Sequence, residues 1–138
     1  MNYLIDTNVC SEPAKPTPDP HVVAWMRRHE GSLYVSSITI GEIRRGIERL
    51  AEGKRKARLQ VWLQSICDCM KGRVLSFNTS TAHVWGQLKA NWDKSGIGVP
   101  DLDSQLAATA HRYSLTIVTR NISDFEKTGV KVINPFVS

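Results

Sequence analysis

MNYLIDTNVC, residues 1–10, joins a short apolar run to three small polar residues, Asp6, Thr7 and Asn8. The apolar run is typical of a buried strand, and the polar residues stand where that strand ends. Asp and Asn also form turns, because their side chains bond to nearby backbone and tolerate unusual dihedral angles. This stretch alone leaves both a turn and a polar site open, so the rest of the chain must distinguish them.

Beyond residue 10, short β-rich segments alternate with segments whose apolar residues recur at helical spacing. The predicted strands are SLYVSS, RVLSF, LTIVT and VKVI, and the predicted helices are HVVAWMRRHE, TIGEIRRGIERLAEG, KRKARLQVWLQSICDCMKG, a segment capped near Asn78, and DLDSQLAATAHRYS. Asp19 before Pro20 marks the first of these helices, since Asp caps helices and Pro suits their first position. The alternation predicts an α/β fold, a parallel β-sheet flanked by helices on both faces.

Length and composition favour a single cytoplasmic domain. A chain of 138 residues fits one domain, residues 1–138, and a net charge of +5 permits a polyanionic partner. Cys10, Cys67 and Cys69 form neither a disulfide framework nor a metal motif, which favours a reducing compartment. We expect no membrane partner, because no apolar run approaches the ~20 residues of a membrane span.

Acidic residues follow or precede several of the predicted strands. Ligands of a parallel sheet bind beyond the carboxyl ends of its strands, and Asp6 lies at that end of the first strand. We expect Glu42 in the first turn of the helix after the second strand, and Asp103 in the first turn of the helix that leads into LTIVT. Asn121 and Asp124 follow LTIVT. The topology therefore predicts that four carboxylates meet at one rim.

Each acid also has a purely structural interpretation. TIGE, residues 39–42, matches a capping box, in which Glu42 bonds to the start of its helix. Asp101 is predicted to be an N-cap, and the helix dipole alone favours Asp103 near a helix start. Asp124 is predicted to cap a short turn. These interpretations remain open for each residue taken singly.

Several carboxylates at one place repel one another and need a compensating cation. Carboxylate oxygens suit Mg²⁺ or Mn²⁺, which retain several waters. The four histidines, His21, His29, His83 and His111, are scattered without a metal-binding spacing. The sequence therefore points to an oxygen-only cation site.

Four segments, LIDTNV, VSSITIGEIRRGI, DLDSQLAATA and TIVTRNISDF, resemble in this order the motifs of the PIN-domain endoribonucleases, especially toxins of the VapC and FitB type. VINPF is similar to the usual ending, so the resemblance covers essentially the whole chain. It implies a PIN-like fold and Mg²⁺-dependent or Mn²⁺-dependent hydrolysis of single-stranded or looped RNA. It also implies a homodimer and a higher assembly with a small VapB-like or FitA-like antitoxin that inhibits the toxin.

The resemblance also assigns residues to the site. It implies catalytic and metal-binding roles for Asp6, Glu42, Asp103 and Asp124, with Thr7, Asn8, Thr119 and Asn121 as supporting polar groups. Asp103, rather than Asp101, fits the family pattern of an acid, two residues, an aliphatic residue and two alanines.

Basic and aromatic residues are candidates for RNA contact. The candidates are Arg27, Arg28, Arg44, Arg45, Arg49 and the KRKAR run at 54–58, because phosphate contacts supply much of the affinity for RNA. A solvated helix face explains the same pattern. Trp25, Trp85 and Trp92 are suited either to base stacking or to packing in the core.

Other protein classes fit the sequence less well. A phosphatase of the haloacid dehalogenase type usually needs a second Asp two positions after the first, where this chain has Asn8. A receiver domain needs an acceptor Asp after RVLSF, where this chain has Asn78. It also needs a Lys after the final strand, and the residues after VKVI include none. The remaining alternative is a PIN-fold nucleic-acid-binding module that is inactive or acts on DNA.

Overall fold

The computed structural model of the chain describes residues 1–137, and Ser138, the last residue of the predicted domain, lies outside the described residues. Within residues 1–137 the strands are β1 (Tyr3–Ile5), β2 (Leu33–Ser36), β3 (Val74–Leu75), β4 (Thr116–Val118) and β5 (Val132–Ile133). The α-helices of the same range are α1 (Thr7–Cys10), α2 (Pro20–Arg28), α3 (Ser37–Glu48), α4 (Lys54–Cys69), α5 (Thr79–Lys94) and α6 (Asp101–Tyr113).

The strands form one parallel sheet in the order β3-β2-β1-β4-β5. β1 lies at the centre, where Leu4 pairs with Tyr34 of β2 and Ile5 pairs with Val118 of β4. The backbone N–H of Asp6 extends the second pairing by donating to the Val118 carbonyl at 2.9 Å. The carboxyl ends of β1, β2 and β4 therefore lie side by side.

Helices cover both faces of the sheet, as predicted. Ile5 and Val118 belong to one buried cluster, which includes Ile43 of α3 and Leu63 of α4. The neighbouring strand residues Leu4 and Ile117 belong to a second cluster. That cluster includes Trp92 of α5 and Leu106 of α6. Successive strand residues point to opposite faces, so each strand contributes to both cores.

Two predicted helix caps are confirmed. Asp19 accepts a hydrogen bond from the His21 N–H at 2.8 Å and caps α2. Asn78 accepts one from the Thr81 N–H at 3.0 Å and caps α5. No helix within residues 1–137 is both long enough and apolar enough to span a membrane.

The predicted start of α3 is wrong. Ser36 caps this helix by accepting a hydrogen bond from the Ile38 N–H at 3.1 Å, so the helix begins before TIGE. Glu42 therefore lies in the second turn and not in the first, and the capping box with Thr39 does not form. Ser36, rather than Thr39 with Glu42, therefore bonds to the free N–H groups at the start of this helix.

Two further predicted caps are also wrong. Pro100 is the N-cap of α6 and Asp101 is the first helical residue, so Asp101 makes no side-chain cap. Asp103 does lie in the first turn, as predicted. The first turn of α6 therefore carries two acids that are not capping groups.

Asp124 ends the 3₁₀ turn Ile122–Asp124, whose N-cap is Asn121, so Asp124 does not cap this turn.

Candidate active site

Asp6 stands at the end of β1, where its carboxylate is held by three donors. Oδ1 accepts from the backbone N–H of Thr7 at 2.7 Å, and this bond caps the short helix α1. Oδ2 accepts from the Thr119 hydroxyl at 2.8 Å and from the Asn8 amide at 3.3 Å. Asp6 is only 7% exposed, so these bonds fix a nearly buried carboxylate at the rim of the sheet.

Thr119 and Asn8 tie the end of β4 to the end of β1. The Thr119 hydroxyl accepts from the Asn8 amide at 3.1 Å and from the backbone N–H of Asn121 at 3.0 Å. The side-chain Oδ1 of Asn8 in turn accepts from the backbone N–H of Arg120 at 3.0 Å. The predicted supporting residues therefore form one network, which Asn121 enters through its backbone.

Glu42 reaches the same rim from α3. Its Oε1 accepts a hydrogen bond from the Thr7 hydroxyl at 3.0 Å. Thr7 follows Asp6 directly and donates its backbone N–H to it. One residue therefore links the carboxylates of Asp6 and Glu42.

Asp103 approaches from the first turn of α6. Burial, together with the charges of Asp6, Asp124 and Glu42, raises the pKa of its carboxyl to about 6. Such an effect requires the other three acids to lie near it. The structure therefore brings together the four acids that the sequence predicted.

The pKa of Asp6 is also raised, with a different balance of causes. Burial is the largest cause, and the charge of Asp124 acts in the same direction. Hydrogen bonds from Thr119, Thr7 and Asn8 oppose the shift by stabilising the ionised form. The rim therefore holds several negative charges close together, and at Asp6 hydrogen-bond donors offset part of the cost of burying the charge.

The donor chemistry of the rim fits a hard divalent cation. The four side chains offer only carboxylate oxygens, the ligands that Mg²⁺ and Mn²⁺ prefer. Among residues 1–137, no three His, Cys, Asp or Glu side chains form a group that holds a metal ion directly. Mg²⁺ usually binds one or two carboxylates and retains several waters, so an open arrangement of this kind suits it.

The amino-acid sequence matches the family model of the PIN domain over residues 3–131. The chain belongs to the PIN domain family. This PIN domain is similar to Toxin FitB of Neisseria gonorrhoeae, with 38% identity over 135 residues, 96% of the chain and 97% of that toxin. It is 36% identical over 135 residues to a VapC ribonuclease of Sinorhizobium fredii, which covers 96% of each chain. The crystal structure of FitAcB from Neisseria gonorrhoeae matches it with a TM-score of 0.91 and 38% identity, over 99% of both chains.

A groove of about 320 Å³ opens beside the acidic rim of this PIN domain. Thr7 and Glu42 border it on the rim side, and Arg55, Arg58 and Trp62 border it on the α4 side. The KRKAR run therefore contributes two arginines next to the predicted site. Lys56 of the same run is buried and pairs with Glu52 at 2.7 Å, so it does not face a ligand.

The other predicted RNA contacts lie outside the lining of this groove. Arg44 pairs with Glu48 at 3.1 Å, which matches the solvated-face interpretation. The remaining four are exposed near the ends of α2 and α3: Arg27, Arg28, Arg45 and Arg49.

The tryptophans have structural environments. Trp92 is buried in the core, and the indole of Trp85 donates to the Ser104 hydroxyl at 2.8 Å. Trp25 stacks on His29 with 4.3 Å between ring centroids. The packing interpretation is therefore confirmed for Trp92, and the other two also contact protein groups.

Sequence reasoning missed Glu12, a buried carboxylate near the rim. It lies in EPAKPTPDP, residues 12–20, a proline-rich segment that begins with the 3₁₀ turn Glu12–Ala14. The side chain of Glu12 is only 4% exposed. The one signal available in the sequence was Lys15, a potential partner at i+3.

Proposed function

We propose that this PIN domain is a toxin-type endoribonuclease that uses Mg²⁺ or Mn²⁺ to hydrolyse RNA in the cytoplasm and is inhibited by a small antitoxin. The observation that carries the proposal is the meeting of four carboxylates, Asp6, Glu42, Asp103 and Asp124, at one rim. The names of its relatives, a toxin and a VapC ribonuclease, support the same activity.

The four carboxylates have different roles toward the cation. Asp6 and Asp103 would be its principal ligands, and Glu42 and Asp124 would complete the site, in part through water. A bound divalent cation would supply positive charge to the scissile phosphate and make water more acidic. The Asp6 carboxylate is oriented before a cation binds, because three donors fix its two oxygens.

Glu42 and Asp124 orient the attacking water. Thr7 holds Glu42 in place through its hydroxyl. The water oxygen bonds to phosphorus and gives up a proton, the bond from phosphorus to the 3′ oxygen breaks, and the 3′ oxygen takes up a proton as it leaves. The ribose 2′-hydroxyl takes no part, so the products carry 5′-phosphate and 3′-hydroxyl ends.

Basic groups beside the rim hold the substrate. Arg55 and Arg58 border the groove next to Glu42 and are placed to bind RNA phosphates.

The antitoxin inhibits the enzyme by bringing a basic side chain to the same rim, where its charge replaces that of the cation. We propose that the active toxin is a homodimer.

The test is cleavage of total cellular RNA by purified, antitoxin-free protein in Mg²⁺, in Mn²⁺ and in EDTA, with the new ends mapped. We expect cleavage in either cation, no cleavage in EDTA, and 5′-phosphate ends. The Asp103→Asn protein serves as the control for a contaminating nuclease. Equal cleavage in EDTA, or none in either cation, contradicts the proposal.

A further inference from the structure

Glu12 closes the proline-rich segment that follows α1. Its Oε2 accepts a hydrogen bond from the backbone N–H of Asp19 at 2.9 Å, and Asp19 is the residue that caps α2. One carboxylate oxygen therefore fixes both ends of the segment between α1 and α2. The other oxygen remains to interact with the rest of the molecule.

Oε1 of Glu12 faces two cations from different parts of the chain. The Lys15 ammonium lies 2.9 Å away, and Nη2 of Arg120 lies 3.7 Å away. Burial alone raises the pKa of Glu12, but the Asp19 N–H and the charges of Lys15 and Arg120 reverse this and lower it. A buried carboxylate of this kind is stable only with its partners in place, so it attracts Arg120 to a defined position.

Arg120 is the link between Glu12 and the acidic rim. Its backbone N–H donates to Asn8 at 3.0 Å, and its guanidinium lies 3.9 Å from the ring centroid of Phe136. The residue before it is Thr119, which donates to Asp6. The loop that begins there leads directly to Asp124.

We propose that Glu12 is a positioning residue for the reaction proposed above. It acts through Arg120 to hold the loop 119–124 against β1, so that Thr119 and Asp124 keep their places beside Asp6. Glu12 touches neither substrate nor cation. The inference rests on the proposed function where RNA cleavage is measured. The affinity for Mn²⁺, measured without RNA, tests it independently of that function.

The test compares Glu12→Gln, Arg120→Ala and the double variant with wild type. Lys15→Met is the matched control for kcat and Mn²⁺ affinity, because it removes the other cation of Glu12 without touching the loop. Its KM is not compared, because Lys15 also borders the groove proposed to bind RNA. We measure kcat and KM on a short RNA that contains a mapped cleavage site. Mn²⁺ affinity is measured without RNA by electron paramagnetic resonance.

We expect each single variant to lower kcat about tenfold, the lower end of what outer groups of a metal site contribute. KM stays unchanged, and Mn²⁺ binding weakens. The double variant is no worse than the singles, since both remove one interaction. Lys15→Met keeps the wild-type kcat and Mn²⁺ affinity.

Three results overturn the inference. In the first, Glu12→Gln and Lys15→Met have the same kcat and Mn²⁺ affinity, which indicates a role confined to the proline-rich segment. In the second, the effect of Arg120→Ala is confined to KM, which indicates direct RNA contact. In the third, the effects of the two single variants add in full.

Two further outcomes are decided by the same samples. If Glu12→Gln does not fold, Arg120→Ala is compared with Lys15→Met instead, because Arg120 is 49% exposed and tolerates replacement. If wild type does not cleave RNA, the proposed function fails by itself. The Mn²⁺ affinities of the variants then decide whether Glu12 positions the rim.

Discussion

Asp6 and Asp103 share one rim but stand in opposite surroundings. Asp6 is more buried, and three donors from the β1 and β4 ends bond to it. The pKa of Asp103 is raised to about 6 by burial and by three carboxylates, and no hydrogen bond within the described chain opposes that rise. Asp6 is therefore part of the architecture, whereas Asp103 carries a charge that the fold tolerates at a cost.

Replacing Asp103 is expected to give the largest change in activity. Asp103→Asn should lower kcat by about 10²-fold or more, comparable to the loss of a group that stabilises the transition state. The melting temperature in EDTA should stay the same or rise, because one of several repelling charges is removed. RNA cleavage and thermal melting measure the two effects, and an active Asp103→Asn enzyme contradicts the assignment.

Replacing Asp6 should instead lower both activity and stability. In Asp6→Asn the new amide NH₂ faces donors from Thr119 and Asn8, so buried groups lose their partners. The free energy of unfolding should fall by about 1–3 kcal/mol, the usual cost of unsatisfied buried groups. Urea unfolding in EDTA measures it, and a variant as stable as Asp103→Asn removes the distinction between the two acids.

The dependence of stability on pH should sharpen the same distinction. Asp103 has a folded-state pKa of about 6 against an ordinary value of 3.8, so the folded protein binds this proton more tightly than the unfolded chain. The stability that the bound proton contributes is complete below the ordinary pKa and is lost as the pH rises through about 6.

Unfolding in EDTA across this pH range should show that loss in wild type. The loss should be smaller in Asp103→Asn, because this variant lacks the Asp103 carboxyl and its repulsion of the neighbouring acids. Identical profiles contradict the raised pKa.

The smallest effect is expected from Asp101, which differs from Asp103 by two positions in the same turn. Asp101→Ala should change stability by no more than about 0.5 kcal/mol, as is usual for an exposed residue that makes no cap. Cleavage should remain at the wild-type level. Melting and cleavage assays beside Asp103→Asn check this, and a large loss in either means that Asp101 has a role the structure does not give it.

The sequence predicted the convergence of the acids because topology alone controls it. Asp6 and Asp124 follow neighbouring parallel strands, and Asp103 begins a helix that returns to the same edge. Helix starts were harder, since they depend on which side chain reaches the free N–H groups. Ser36 rather than Thr39 does so at α3, and at α6 the N-cap is Pro100.

Glu12 shows what lay outside the reach of pattern reasoning. Its burial and its pairing with Arg120 join segments from opposite ends of the chain. No local periodicity or spacing encodes such a contact. Only the three-dimensional arrangement of the loops relates it to the rim.

The central claim, that the rim carboxylates act together as one cation site, is tested most directly by calorimetric titration of Mn²⁺ into wild type, Asp101→Asn and Asp103→Asn. The two variants lose the same charge from the same helical turn, so general electrostatics affects both alike. We predict that Asp101→Asn binds Mn²⁺ as wild type does and that Asp103→Asn loses most of its affinity. Equal Mn²⁺ affinity in wild type and Asp103→Asn would contradict the claim.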